Sequence, residues 1–353
     1  MPGTLATRLM LEAIRFSGAA SLANERFRGI GSILMLHRVG STARNGFSPN
    51  AHLSVTPKFL DQVADALSRS IFEFVSMDEA AQRIRERGRG GDGRPFVAVT
   101  LDDGYRDNLE NAVPVFRKYN IPYTIFIAPG LVEGAACLWW EDLEAVVKAR
   151  DTLYFDWKGL RQELPLSNSR EKREAFDYLM NYLTNEVSED DQRRIVAGLC
   201  EMSGIDAQAH RAQSIMTWQE LRELAADPLC TLGAHTIGHY ALARLNKQDA
   251  MTELEESRAL VELETGTRPR HFAYPYGYPA AAGEREFAMA ERCGYETAVT
   301  TRHGVVYPEH ADYLTALPRI SLNGNFQKLH YVRALLSGTT TRLVNKGKRL
   351  NVA

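Results

Sequence analysis

At 353 residues the chain is long enough for one large barrel or two smaller domains. Hydrophobic residues make up 44% and charged residues 24%, with a formal net charge of −2; this is the make-up of an ordinary globular protein, and it excludes nucleic-acid binding by the chain as a whole. The four cysteines (Cys137, Cys200, Cys230 and Cys293) include no CxxC pair, so neither a disulfide framework nor a thiolate zinc site is expected.

Residues 1–29 read as a helical N-terminal segment in which Glu12 and Glu25 interrupt any apolar core. No secretory leader and no membrane span are expected, which points to the cytoplasm. SILML (32–36) reads as a buried strand. A helix follows with Thr56 as N-cap and Pro57 in its first turn. FEFV is short and strand-like, and the next helix opens on Ser76 with Glu79 three residues on, the pattern of a capping box. RGRGGDGRP (87–95) has loop composition, and RPFVAVTL (94–101) is a strand rich in β-branched residues. A helix is expected over 107–119, then the strand YTIFIA; LCTLGA, RHFAY and ETAVT follow as further strands, separated by helical patterns. This alternation predicts an α/β fold, a distorted (β/α) barrel of about seven strands over residues 30–327.

Residues 134–216 break the alternation: they are highly charged and read as a mostly helical insertion between two barrel strands, either a plain excursion or a lid over a site. Residues 328–353 form a basic tail with Lys328, Arg333, Arg342, Lys346, Lys348 and Arg349 and no acid. That tail reads either as a solvated, frayed end or, with the N-terminal segment, as a peripheral contact to an anionic membrane face.

Several reactive side chains fall at the C-terminal ends of the expected strands, where parallel α/β barrels gather their active sites. His37 follows SILML, Asp102 and Asp103 follow VTL, His235 follows LCTLGA, and Tyr274 and Tyr276 close and follow RHFAY. Adjacent carboxylates such as Asp102 and Asp103 repel unless a cation or proton lies between them, and Gly104 permits a tight turn; Asp-Asp-Gly is also ordinary turn chemistry. In HTIGH (235–239) two histidines four apart share one face of a helical turn and can chelate one ion. Two histidines and a carboxylate leave open coordination positions, as catalytic zinc needs; the same set suits non-haem iron.

These segments resemble the polysaccharide deacetylase (NodB-homology) family of carbohydrate esterases. TLDDG (100–104) is similar to its T-F-D-D-G motif with Leu101 in place of Phe, HTIGH to H-[S/T]-x-x-H, and FAYPYG (272–277) to the x-P-[Y/F] motif. The resemblance covers about residues 30–135 and 216–322. It implies that Asp103, His235 and His239 bind a divalent metal, Zn2+ first, that Asp102 is the general base, and that the backbone N–H of Tyr276 holds the oxyanion, with Tyr274 and Pro275 lining the site. Many members carry an Arg where this chain has Ala273, and Arg319 in LPRIS is the candidate to replace it. Many use a late His as general acid; His303, His310 and His330 sit in no convincing motif. LMLHRV (34–39) instead is similar to exopolysaccharide poly-N-acetylglucosamine deacetylases, in which an early-strand His serves, and His37 is therefore the expected acid. Trp139, Trp140 and Trp218 offer rings that pack the insertion on the barrel or stack on sugar faces. His52, His210 and His271 carry no assigned role. The implied function is metal-dependent removal of N-acetyl groups from an N-acetylglucosamine-containing glycan or lipid-linked saccharide. Hydrolysis of a small non-sugar amide and a silent glycan-binding homologue are the alternatives.

Overall fold

The computed structural model describes residues 4–17, 27–41, 46–157 and 160–352. Eight parallel strands form its main sheet: β1 (Gly31–Leu36), β2 (Glu73–Val75), β3 (Phe96–Leu101), β4 (Tyr123–Ile127), β5 (Cys230–Ala234), β6 (His271–Ala273), β7 (Thr297–His303) and β8 (Leu317–Ser321). The order β1-β8-β7-β6-β5-β4-β3 closes on itself because β1 also pairs with β3, giving a seven-stranded barrel. β2 stands outside the ring. It pairs with Phe96–Ala98 of β3, while β4 takes Val99–Leu101 on the same strand. Every residue of β1, β3 and β4 is buried, as strands covered on both faces require, which is why they read as unbroken apolar runs.

The helices obey their local signals. Thr56 accepts from Phe59 N at 3.1 Å and Pro57 opens the helix Pro57–Ser68. Ser76 caps through Glu79 N at 3.2 Å, but Glu79 pairs with Arg83 Nε at 3.0 Å, so only one arm of the expected box forms. The helix expected over 107–119 begins as a π-turn (Asn108–Ala112) before Val113–Tyr119; such turns recur beside functional sites.

Among the described residues the 134–216 insertion holds four helices and, beside them, a hairpin that the reading of a mostly helical segment did not include. Between helices Trp139–Ala149 and Ser169–Asn185 it makes an antiparallel hairpin, Thr152–Trp157 with Leu160–Pro165, and helices Glu189–Ser203 and Ala207–Ser214 follow. Leu153 and Phe155 point inward while Tyr154 is exposed, a period of two too short to stand out among charged neighbours. The insertion closes its own core around Trp139, Leu143, Phe176, Leu179 and Leu199. One expectation is corrected: the basic tail is not a frayed end, since helices Leu329–Leu336 and Thr339–Val344 fold back, burying Val332, Leu335, Leu336, Thr340 and Thr341. Leu11 and Ile14 of helix Thr4–Ser17 join the same core. Among the described residues no helix is long and apolar enough to cross a membrane.

Candidate active site

The strand ends of β1, β3, β5 and the loop after β6 meet at a cavity of about 190 Å3 lined by His37, Asp102, Asp103, Trp139, Trp140, His235, His239 and Tyr276, with Asn50, His52, Leu53, Met180 and Thr301 at its walls. Residues separated by more than two hundred positions thus converge. The cause is the parallel register of the barrel, which brings the C-terminal ends of its strands to one face.

Asp103 Oδ1 lies 3.3 Å from His235 Nε2 and 3.2 Å from His239 Nε2. These three are the group able to hold a metal ion among the described residues, and all are buried. The chemistry of the donors fits a cation. His235 Nδ1 donates to Ala273 O at 2.7 Å, so a neutral His235 turns its Nε2 lone pair toward Asp103. Burial drives His239 toward its neutral form. Burial pushes the Asp103 carboxyl up, but a proton held toward it by a facing imidazole more than offsets this, so the group stands well below the usual carboxylate range. Asp103 Oδ1 nonetheless has no hydrogen bond of acceptable geometry. Three convergent electron pairs without a proton between them are repulsive unless a cation joins them.

The two histidines do not share a helical turn, as their spacing predicts. Residues 235–239 form an irregular loop in which Thr236 and His239 adopt positive φ (59° and 56°). That conformation is unusual for a β-branched Thr and costs on the order of 1–3 kcal/mol per residue. The surroundings hold it in place. Glu253, from helix Lys247–Thr265, accepts from Ile237 N (2.7 Å) and Gly238 N (3.0 Å). Arg193, from the insertion, donates to Gly238 O (2.7 Å) and His239 O (3.0 Å) while lying over the Tyr240 ring. Asp103 and Gly104 are likewise both left-handed (φ 73° and 72°), so the turn that aims the carboxylates uses Asp103 as well as the glycine.

Asp102 faces Arg319 in a two-point pair, Nη1 to Oδ1 and Nη2 to Oδ2, both 2.7 Å. Arg319 Nη1 also donates to Thr100 Oγ1 (3.1 Å) and Nε to Thr300 O (2.9 Å), so the buried guanidinium is fixed in plane. It sits within β8 and reaches past β1 to Asp102. Burial raises the Asp102 carboxyl, and Arg319 more than offsets this, leaving it below its ordinary value and ionised. His37 Nε2 stands 3.9 Å from Asp102 Oδ2, with its side chain 23% exposed to the cavity. The His37 carbonyl is held by Asn108 Nδ2 at 2.8 Å, and Val39 N donates to Asp107. Replacing His37 by Gln is expected to lower turnover about 100-fold with metal uptake unchanged, read from steady-state kinetics beside metal titration. Full activity would remove His37 from the reaction.

Tyr276 has φ 60°, and Gly277 N donates to Pro275 O at 2.7 Å, a γ-turn of the rare positive-φ kind. Thr301 Oγ1 holds the Tyr276 carbonyl at 2.5 Å. Trp139 Nε1 donates to the Tyr276 hydroxyl (2.8 Å), and the Trp140 ring lies 4.8 Å from that of His239. Both indoles wall the cavity, and the insertion also contributes Met180. Tyr274 is corrected: it is 1% exposed, its hydroxyl donates to Thr315 O (2.9 Å), and it packs with Phe272 and Phe287 behind the sheet. The strand's alternation turns it away from the site. Pro275 is buried and shapes the turn without lining the cavity. Trp218 packs against the main core, away from the cavity.

The late histidines are elsewhere. His303 bonds Thr340 and His310 bonds the Tyr307 backbone, both driven down to about 4 by burial, and His330 faces Glu12. His271 is buried between Thr297 and Asp78. His52 lines the cavity wall. His210 belongs to a polar network that the sequence did not signal: hydrogen bonds to Asp142 and Glu141 raise it to about 9, Arg38 and Tyr105 also bond Glu141, and Trp140 Nε1 reaches Tyr105 at 3.3 Å. This network backs the indole that faces His239. Only Tyr105, two residues after the carboxylate pair, carried a positional hint; Arg193 lies in a charged stretch with nothing to single it out.

The mouth of the parallel barrel thus carries one carboxylate and two imidazoles able to hold a metal ion, with a second carboxylate clamped by arginine beside them. The polysaccharide deacetylase family model matches residues 89–153 and 192–298, and the chain belongs to that family. YxkH of Bacillus subtilis (strain 168), assigned by name to the polysaccharide deacetylases, is 26% identical over 98 residues. That match takes in 26% of this chain and spans about a third (35%) of the relative's length. Among solved structures, the Streptococcus pyogenes deacetylase PplD in complex with acetate superposes with a TM-score of 0.55 at 18% identity, over 86% of this chain and 97% of that one. IcaB from Ammonifex degensii gives 0.55 at 20%, over 88% and 98%. At these identities the likeness is one of fold.

Proposed function

We propose that the protein is a metal-dependent hydrolase that removes N-acetyl groups from an N-acetylglucosamine-containing glycan or lipid-linked saccharide. The observation that carries this reading is the pairing of a buried, cation-seeking Asp103–His235–His239 group with an ionised Asp102 fixed by Arg319 at the same cavity. Asp103, His235 and His239 would hold the metal, taken as Zn2+, which supplies Lewis acidity and a lowered pKa of water when bound. Asp102 accepts the proton of the attacking water. Its two-point contact with Arg319 keeps the carboxylate ionised and oriented. His37, on the open side of Asp102, donates a proton to the departing amine. The Tyr276 N–H faces the developing oxyanion. Trp139 and Trp140 give the cavity an apolar wall of a size suited to an acetamido methyl and a sugar face.

The test is acetate release from N-acetylated chito-oligosaccharides and lipid-linked N-acetylglucosamine, before and after chelation. Activity is expected on at least one of these, lost with chelator and restored by Zn2+. Acetate from small amides alone would change the substrate class. Absence of stoichiometric zinc binding would overturn the reading.

A further inference from the structure

Helix Thr4–Ser17 presents apolar side chains on two opposite faces. Leu11 and Ile14 are buried in the barrel's core, whereas Leu5, Leu9 and Phe16 are 72%, 63% and 80% exposed. At helical spacing Leu5, Leu9 and Phe16 lie along one stripe turned away from the barrel. Large exposed apolar groups gathered on one stripe mark a contact surface.

The charge beside this stripe is positive. Arg8 and Arg15 flank it on the same helix, and Lys328, at the start of helix Leu329–Leu336, lies next to it. Glu12 is the one acid of the helix, and it is engaged by Tyr331 (2.6 Å), His330 (3.3 Å), Arg15 (3.5 Å) and Lys328 (3.6 Å). The basic groups of the C-terminal tail are spent locally in part, since Arg342 lies over Phe27 and Arg349 bonds Glu309. The patch is also continuous with the cavity rim. Arg8 Nη2 donates to Asn325 O (3.2 Å), and the adjoining Gly324 N donates to His52 O (2.9 Å), where His52 lines the cavity.

We propose that the outward face of helix Thr4–Ser17 docks on an anionic lipid surface, with Leu5, Leu9 and Phe16 entering the headgroup–acyl boundary and Arg8, Arg15 and Lys328 meeting the phosphates. An apolar stripe edged by arginines is complementary to such a surface in both hydrophobicity and sign. Docking there sets the cavity rim beside the bilayer.

The test is co-sedimentation of the full chain with vesicles of phosphatidylcholine alone or mixed with phosphatidylglycerol, a measurement that needs no turnover and so stands apart from the proposed activity. The protein is expected to sediment with the anionic vesicles and to be released as salt rises. Leu9→Gln/Phe16→Gln is expected to cut partitioning at least about 10-fold, and Arg8→Gln/Arg15→Gln by about 10-fold. An unchanged thermal midpoint controls for folding; Leu5→Gln alone, at the exposed start of the helix, lowers binding in the same direction without touching packed residues. No sedimentation with anionic vesicles, or equal sedimentation of wild type and variants, overturns the proposal. So does light scattering that shows a dimer dissolved by Leu9→Gln/Phe16→Gln, which would assign the face to a second copy of the chain.

Discussion

Substituting Asp102 by Asn is expected to lower turnover by about 10³-fold while the metal group Asp103, His235 and His239 keeps its stoichiometry. The amide preserves shape but cannot take a proton from water. Arg319 retains its charge in the barrel interior, so the variant also loses stability, and turnover has to be normalised to bound metal. The comparison with Asp103→Asn separates the two neighbouring carboxylates. That variant is expected to lose metal affinity first and turnover as a consequence. Isothermal titration with Zn2+ beside acetate-release kinetics reads both. An Asp102→Asn protein with wild-type turnover would remove the proton-accepting role.

Replacing Arg319 by Met is expected to cost about 3–5 kcal/mol of stability, measured by denaturant unfolding, because it strands the Asp102 carboxylate in a site where both partners are buried. The double variant Asp102→Asn/Arg319→Met is expected to recover much of that loss, since no unpaired charge remains. Arg319→Lys restores the charge but not the two parallel hydrogen bonds at 2.7 Å, so it should regain part of the stability and leave turnover low. A loss under about 1 kcal/mol in Arg319→Met would mean that the pair contributes no more than an exposed ion pair does.

The side chains that bear the site's chemistry were legible because they follow strands with unmistakable apolar runs. Asp102 and Asp103 follow β3, and His235 follows β5; once the strands are found, barrel geometry brings their ends together. Arg319 was the candidate to stand in for the Arg missing at Ala273, on resemblance alone. That it meets Asp102 depends on β8 and β3 lying on either side of β1, a matter of ring closure that no local pattern encodes. Tyr274 misled because an aromatic beside a motif proline reads as a lining residue, while the alternation of the strand sends it into the core behind the sheet. The histidine pair misled in geometry, not identity: a spacing of four suits a helix, and the loop instead reaches the same convergence through two left-handed residues held by Glu253 and Arg193.

By itself the sequence determined the strand and helix order, the caps at Thr56 and Ser76, and the residue types gathered at the barrel mouth, because periodicity, capping chemistry and strand ends are local properties. The tertiary structure alone decided the two-point geometry by which Arg319 meets Asp102, the placing of His37 3.9 Å from that carboxylate, and the grip of the insertion on the histidine loop through Arg193. It also decided that the chain's two ends pack together on the barrel's flank and leave Leu5, Leu9 and Phe16 facing out. These are contacts between residues far apart in sequence, fixed by strand register and by which faces remain to be buried, and neither is written in any single stretch of the chain.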